Sequence, residues 1–403
     1  MTGSRSLRAR GPRAALLAVA LSAALTGLAA SPATAFAAPV GAAEIDIKYD
    51  EFTLPNGLRV IVHTDRKAPI VAVNLWYHVG SKNEQPGRTG FAHLFEHLMF
   101  QGSENHDAEY FAPFELVGVT DQNGTTNQDR TNYFQNVPST ALDMALWMES
   151  DRMGHLLGAI NQKSLDEQRG VVQNEKRQGE NQPYGRRINA KIFEALYPAG
   201  HPYNWQVIGS MADLDAATLD DVKTWFKSWY GPNNAVLVLS GDIDVKTAKE
   251  KVTRYFGDIP ASATLADMPA NIPKRDKDTR ETVPDRVPQT RVYRAWPVAE
   301  IGTRDAVLLD LFSQVLGGSA ASRFDMRLVH GDKIADNAAA YTWSSELAGT
   351  FFLMATAKDG VDAAKIEKAM DEELQRLLAE GPTAEELERA KVATRAGFVR
   401  GIE

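Results

Sequence analysis

His93-Leu94-Phe95-Glu96-His97 puts two imidazoles and a carboxylate on one side of a single helical turn. On a helix, residues four apart stack one above the other and residues three apart are neighbours, so His93, Glu96 and His97 project together. Phe91, Leu94, Phe95 and Leu98 supply the opposite face, at the i, i+3, i+4, i+7 spacing that buries a helix against a core. The polar trio is therefore expected to face a cavity or cleft. Neutral imidazoles are good zinc ligands, and a catalytic zinc keeps three protein ligands and one water, so a third ligand must come from elsewhere in the chain. The bland alternative is an ordinary helix surface, on which such a five-residue pattern also arises by chance.

The order H-x-x-E-H is the inverzincin signature, the reverse of the zincin H-E-x-x-H. Downstream, Ser164-Leu165-Asp166-Glu167-Gln168-Arg169-Gly170-Val171-Val172-Gln173-Asn174-Glu175-Lys176-Arg177 opens with what reads as a capping box, Ser164 and Glu167, and predicts a second helix. Together the two stretches closely resemble the pitrilysin family of zinc metallopeptidases, in the branch similar to mitochondrial processing peptidase. In that family a glutamate some seventy to eighty residues further on completes the metal site. Here 77 residues separate His97 from Glu175, which stands in the expected Asn-Glu-Lys-Arg context. The resemblance thus implies one zinc ion held by His93, His97 and Glu175. Gln168 departs from relatives that carry a second glutamate there.

The segment Asn123 to Phe134 is similar to the family's strand pair beside the metal, whose exposed edge takes a peptide. The resemblance therefore implies substrate binding by Asn123, Gly124, Thr125 and Thr126, through main-chain hydrogen bonds. Satisfied turn geometry is the alternative for the Asn and Thr side chains. His201-Pro202-Tyr203, Ile208-Gly209-Ser210 and Tyr230 to Ala235 are similar to later family landmarks. The likeness is strong from Ile45 to Phe256 and weaker beyond.

Arg5, Arg8, Arg10 and Arg13, an apolar run from Ala14 to Ala30, and small-residue sites around Ala35 and Ala37 have the three-part anatomy of a secretory signal peptide. A signal anchor is the rival, but the run is short of the ~20 residues a spanning helix needs. Extracytoplasmic or secreted location without a stable membrane anchor is the expectation. Removing residues 1–37 takes away four arginines and no acid, and the formal charge goes from −8 to −12. An acidic chain with no basic block argues against nucleic acid as a partner. Cysteine is absent, so no disulfide framework supports the fold.

Phe52 to Val62 reads as a β-hairpin around Pro55-Asn56-Gly57. A strand from Ile70 to Val79, the metal helix, a helix from Asp107 to Leu116, a strand pair from Val119 to Val137 and a helix from Ser139 to Leu157 follow. Past the Ser164 helix come helices at Leu219 to Trp229 and Val245 to Phe256, flanking a strand from Ala235 to Leu239. Residues 266–289, rich in proline and charge, read as a linker. Beyond it the order starts again: strand, helix from Asp305 to Leu316, strands near Ala335 to Trp343 and Thr350 to Ala357, a helix from Val361 to Leu378, and a capping box at Thr383 and Glu386.

The expected fold is α+β: two homologous domains, each a largely antiparallel sheet with helices on one face. The expected organisation is a signal peptide at 1–37, a catalytic domain at 43–265, the linker, and a second domain at 290–403 that lacks the motif. Counterparts of residues 182–260 are missing from the second copy, so the sequence is expected to be a fragment or early-terminated form of a longer protein.

The expected chemistry is endopeptidase hydrolysis of extended peptides or unfolded polypeptides, with Glu96 as general base and the metal polarising the scissile carbonyl. A structural zinc is the rival, though such sites are closed by four protein ligands and no fourth is evident. In the family the peptide is enclosed between two halves and an arginine-tyrosine pair from the far half assists. No residue here can be assigned to that pair, which implies a second half from further sequence or a partner subunit. The competing function is a non-catalytic scaffold or assembly subunit of a peptidase complex.

Overall fold

Gly57 takes φ +91° in the turn between β1 (Asp50–Thr53) and β2 (Arg59–Thr64), the left-handed conformation that favours glycine. Asn56 beside it donates to the carbonyls of Phe256 (2.7 Å) and Ile259 (2.9 Å), tying the turn to a distant helix end. The computed structural model describes residues 46–263 and 267–402. The signal-peptide expectation for residues 1–37 lies outside the described residues.

Period-two alternation builds the first sheet. In β3 (Ile70–Tyr77), Val71, Val73, Leu75 and Tyr77 turn inward, as do Val60 and Val62 of β2. With β4 (Thr120–Thr126), β5 (Thr131–Pro138) and β6 (Ala235–Gly241) the order is β1-β2-β6-β3-β5-β4. All its pairs are antiparallel except β2 with β6. Helices α1 (Phe91–Leu98) and α2 (Ala112–Glu115) precede β4; α3 (Leu142–His155), α4 (Gln162–Glu180), α5 (Arg186–Leu196), α6 (Met211–Ala216), α7 (Leu219–Trp229) and α8 (Val245–Phe256) follow in order. Phe95 of α1, Leu146 of α3, Phe226 of α7 and Phe256 of α8 share one buried cluster with the inward strand residues.

The second sheet contains β7 (Arg291–Val298), β8 (Ala335–Trp343) and β9 (Gly349–Ala357), with α9 (Arg304–Gly317) and α10 (Ala363–Glu380) against it and α11 (Ala384–Gly401) last. Its order, β7-β9-β8, repeats β3-β5-β4 of the first sheet. Residues 267–289 contain no helix or strand.

Several helices differ from expectation. The helix expected at 107–116 is only Ala112–Glu115, because Pro113 would clash with the carbonyl of residue 109 in a longer one. The helix bearing Glu175 starts at Gln162, two residues early: Asn161 is the cap, its side chain accepting from the Ser164 amide (3.1 Å) while the Ser164 hydroxyl accepts from the Asn161 amide. Ser164 is therefore the third helical residue and not the cap. Helices α5 and α6 were not among the expected elements. Phe193 of α5 packs on Phe352 and Trp343, across the second sheet from α9 and α10, so α5 joins the two halves.

Thr383 and Glu386 form the expected reciprocal box at α11, and Arg323 binds both Glu386 oxygens at 2.8 Å. That guanidinium holds the Glu386 carboxyl down from 4.5 to about 2. A folded-state value below the unfolded one gives stability that is present above about pH 4.5 and lost as pH falls towards 2. Glu386→Gln should flatten this limb of the acid-unfolding curve, removing about 2 kcal/mol; an unchanged curve would refute the coupling.

Candidate metal centre

The helix carrying the motif is capped by residues from elsewhere. Gly90 at its N-cap has φ +92° and offers no side chain. Buried Glu84 replaces it, one oxygen accepting from the Gly90 amide (3.0 Å) and the other from the Ala92 amide (2.8 Å). Burial pushes this carboxyl up to about 8, against the pull of those two amides. Gly209, at φ +73°, crosses over Gly90 so closely that an added Cβ would lie 2.5 Å from Gly90 Cα and run into the Thr89 carbonyl. Gly209→Ala should therefore cost about 2 kcal/mol or more through strain and displaced backbone, measurable by urea unfolding.

α1 buries Phe91, Leu94, Phe95 and Leu98, as its spacing demands, and turns His93 and His97 to its other side. α4 lies across it and brings Glu175 to both rings. Glu175 Oε2 is 3.5 Å from His93 Nε2 and 3.6 Å from His97 Nε2. Ligand atoms about 2.0–2.1 Å from a tetrahedral zinc lie roughly 3.3–3.4 Å apart; the two Glu175–imidazole separations are close to that, and all three donor atoms lie within 4.8 Å of one another. This is the one His/Asp/Glu cluster with metal-ligand spacing among the described residues.

The electrostatics suit a cation. Burial holds the His93 imidazole down to about 4, neutral and with a lone pair to offer at pH 7. The His97 contact, assisted by Arg186, holds Glu175 ionised, at about 2. Arg186 Nη2 meets Glu175 Oε1 at 2.5 Å, leaving Oε2 to face the imidazoles. Arg186 was invisible to sequence reasoning; the amphipathic spacing of Ile188, Ile192, Phe193 and Leu196 was the signal for its helix.

Glu96 is buried beside the cluster, and burial raises its carboxyl above the usual range. Its Oε2 accepts the Thr126 hydroxyl at 2.5 Å. Of the four β4 residues expected to bind substrate, Thr126 alone hydrogen-bonds a member of this group. Thr125 Oγ1 binds Asn132 (2.5 Å), Asn123 Oδ1 accepts the Gly124 amide (2.9 Å), and Gly124 makes room for Phe100, whose ring atom would lie 2.8 Å from an added Cβ.

β4 is the edge of its sheet. The turn after it is held from both halves: Asp129 accepts the Tyr203 hydroxyl (2.5 Å) and, from the second half, the Glu346 amide (3.0 Å), and the Leu347 amide donates to the same Tyr203 oxygen (2.9 Å).

Known proteins are similar to this chain in sequence and in fold. Residues 59–201 match the family described as Insulinase (Peptidase family M16), and residues 216–393 match the Peptidase M16 inactive domain. The chain belongs to peptidase family M16. Zinc protease PqqE of Helicobacter pylori is 29% identical to this M16 chain over 364 residues, 88% of the chain and 80% of that protein. An uncharacterized zinc protease of Bacillus subtilis, YmxG, is 24% identical over 356 residues, covering 87% and 84%. Among solved structures, a protease from Helicobacter pylori superposes with TM-score 0.81 at 28% identity over 88% of this chain and 85% of that one. Pitrilysin shares the M16 fold at TM-score 0.67 and 19% identity, over 84% of this chain but 37% of its own. The inactive-domain match falls mostly on the half without the motif. No helix among the described residues is long and apolar enough to cross a membrane.

Proposed function

We propose that this chain is an extracytoplasmic zinc endopeptidase acting on extended peptides or unfolded polypeptides. The observation that carries the reading is the convergence of His93, His97 and Glu175 from two helices with Glu96 alongside. Zinc, when bound there, would supply a Lewis acid that acidifies a water and polarises the scissile carbonyl. Glu96 takes the proton of the attacking water and hands it to the leaving amine; burial, which raises its carboxyl above the usual range, makes it a stronger base for that step. Arg186 keeps Glu175 oriented and charged. The free edge of β4 accepts the peptide as an added strand, with main-chain bonds along Asn123 to Thr126.

Location outside the cytoplasm rests on the signal-peptide anatomy of residues 1–37 and agrees with the PqqL protease of Escherichia coli, whose structure is described as periplasmic. A second half, from further sequence or a partner, would enclose the peptide. The inactive-domain match favours one rival, a non-catalytic subunit of a peptidase complex.

Metal removal and return separates the two. Chelation should abolish cleavage of an unstructured peptide, zinc should restore it, and His97→Ala should neither retain zinc nor recover. Activity that survives the chelator defeats the proposal.

A further inference from the structure

Resting on the peptidase reading, we propose that Thr126 is a positioning residue for the general base: its hydroxyl pins one oxygen of Glu96, so that the other exchanges the proton. Glu96 is buried on α1, and among the described residues the Thr126 hydroxyl is the one side-chain partner its carboxylate has. Such a carboxylate, free to rotate, would present either oxygen to the water, and only one placement is productive.

The surroundings commit Thr126 to this bond. Thr131 is its cross-strand partner, with the two hydroxyl oxygens 3.4 Å apart. Thr131 is fully buried and donates to the Val79 carbonyl at 2.9 Å, so its own proton is already used. It can therefore receive from Thr126 but give nothing to it. Thr126 has a single proton and two acceptors, and the Glu96 carboxyl oxygen at 2.5 Å wins over a hydroxyl at 3.4 Å, beyond the usual hydrogen-bond range. The backbone of Thr126 is fixed in the β4–β5 ladder, one residue from a turn whose Asp129 is clamped by Tyr203 and the Glu346 amide. The donor is thus held by the sheet and not by a mobile side chain.

This role differs from peptide binding by Thr126 in a measurable way. Thr126→Val keeps the shape and removes the donor. In the zinc-loaded full chain it should lower kcat for peptide cleavage about tenfold to thirtyfold and leave KM within about twofold, because the loss falls on the reacting geometry. Thr126→Ser should restore kcat to within about threefold of wild type. Zinc content should match wild type in both. A raised KM with unchanged kcat assigns Thr126 to substrate and overturns the proposal, as does a Ser variant no better than Val.

Wild type and Glu96→Gln are assayed alongside. A silent wild type, or a Glu96→Gln variant as fast as wild type, defeats the peptidase reading itself; an active wild type, inactive Glu96→Gln and unimpaired Thr126→Val defeat only the role of Thr126. A cycle of Thr126→Val with Glu96→Ala, read from denaturant unfolding of the metal-free full chain, needs no turnover. Coupling of about fivefold or more in the unfolding constant supports the contact, and effects that multiply independently within twofold overturn it. Thr126→Ala replaces Thr126→Val in both measurements if the valine variant does not fold.

Discussion

Glu96→Gln will keep its zinc and lose peptide cleavage by about 10²–10⁴-fold, the range that removal of a general base costs. The substitution is nearly isosteric and Glu96 is not one of the three converging donors, so the metal content of the purified chain should stay that of wild type. The Gln carbonyl can still accept the Thr126 hydroxyl and preserve the local packing. What disappears is a group able to take a proton. The two measurements together are decisive: kcat on a quenched fluorescent peptide and zinc per chain by elemental analysis. Activity within about fivefold of wild type would remove Glu96 from the mechanism; loss of zinc would make it part of the binding site instead.

Glu149→Ala will cost about 3–5 kcal/mol, because it leaves a buried guanidinium without its counter-charge. Arg152 and Glu149 are both almost wholly inaccessible, and Arg152 donates from Nε (2.9 Å) and Nη2 (2.5 Å) to the two carboxylate oxygens. Gln135 of β5 adds a third bond to Glu149 at 2.9 Å. The guanidinium lies between two rings, 4.0 Å from the Tyr110 centroid and 4.1 Å from that of Tyr133. Phe100 packs edge-on against Tyr133 and fills the space left by Gly124, so the pair supports the strand that carries Thr126. Replacing both ions, as Glu149→Leu with Arg152→Met, should recover much of the loss, since a well-packed apolar pair avoids the desolvation penalty. Urea unfolding of the single and double variants checks both statements. A single-variant loss below about 1 kcal/mol would show that the pair is solvated in solution.

The fold was legible wherever local chemistry dominates. The Asn56-Gly57 turn, the alternation in β3 and the Thr383–Glu386 box each depend on a few neighbouring residues, and each is present in the structure. Helix starts were less legible. Asn161 and Ser164 are both good caps, and only the actual path of the chain selects between them. Helix α5 escaped notice because its hydrophobic face meets the second sheet, which begins about a hundred residues later.

The same division holds at the site. His93, Glu96 and His97 share one turn of one helix, so helical periodicity alone determined that they project together. Their company was decided by tertiary structure. Glu175 reaches the two rings only because α4 crosses α1, Arg186 reaches Glu175 only because α5 turns back, and Thr126 reaches Glu96 only because β4 ends beside α1. Local spacing sets the direction of side chains within an element, whereas the distance between elements is set by packing of the whole core, and that no short stretch of sequence contains.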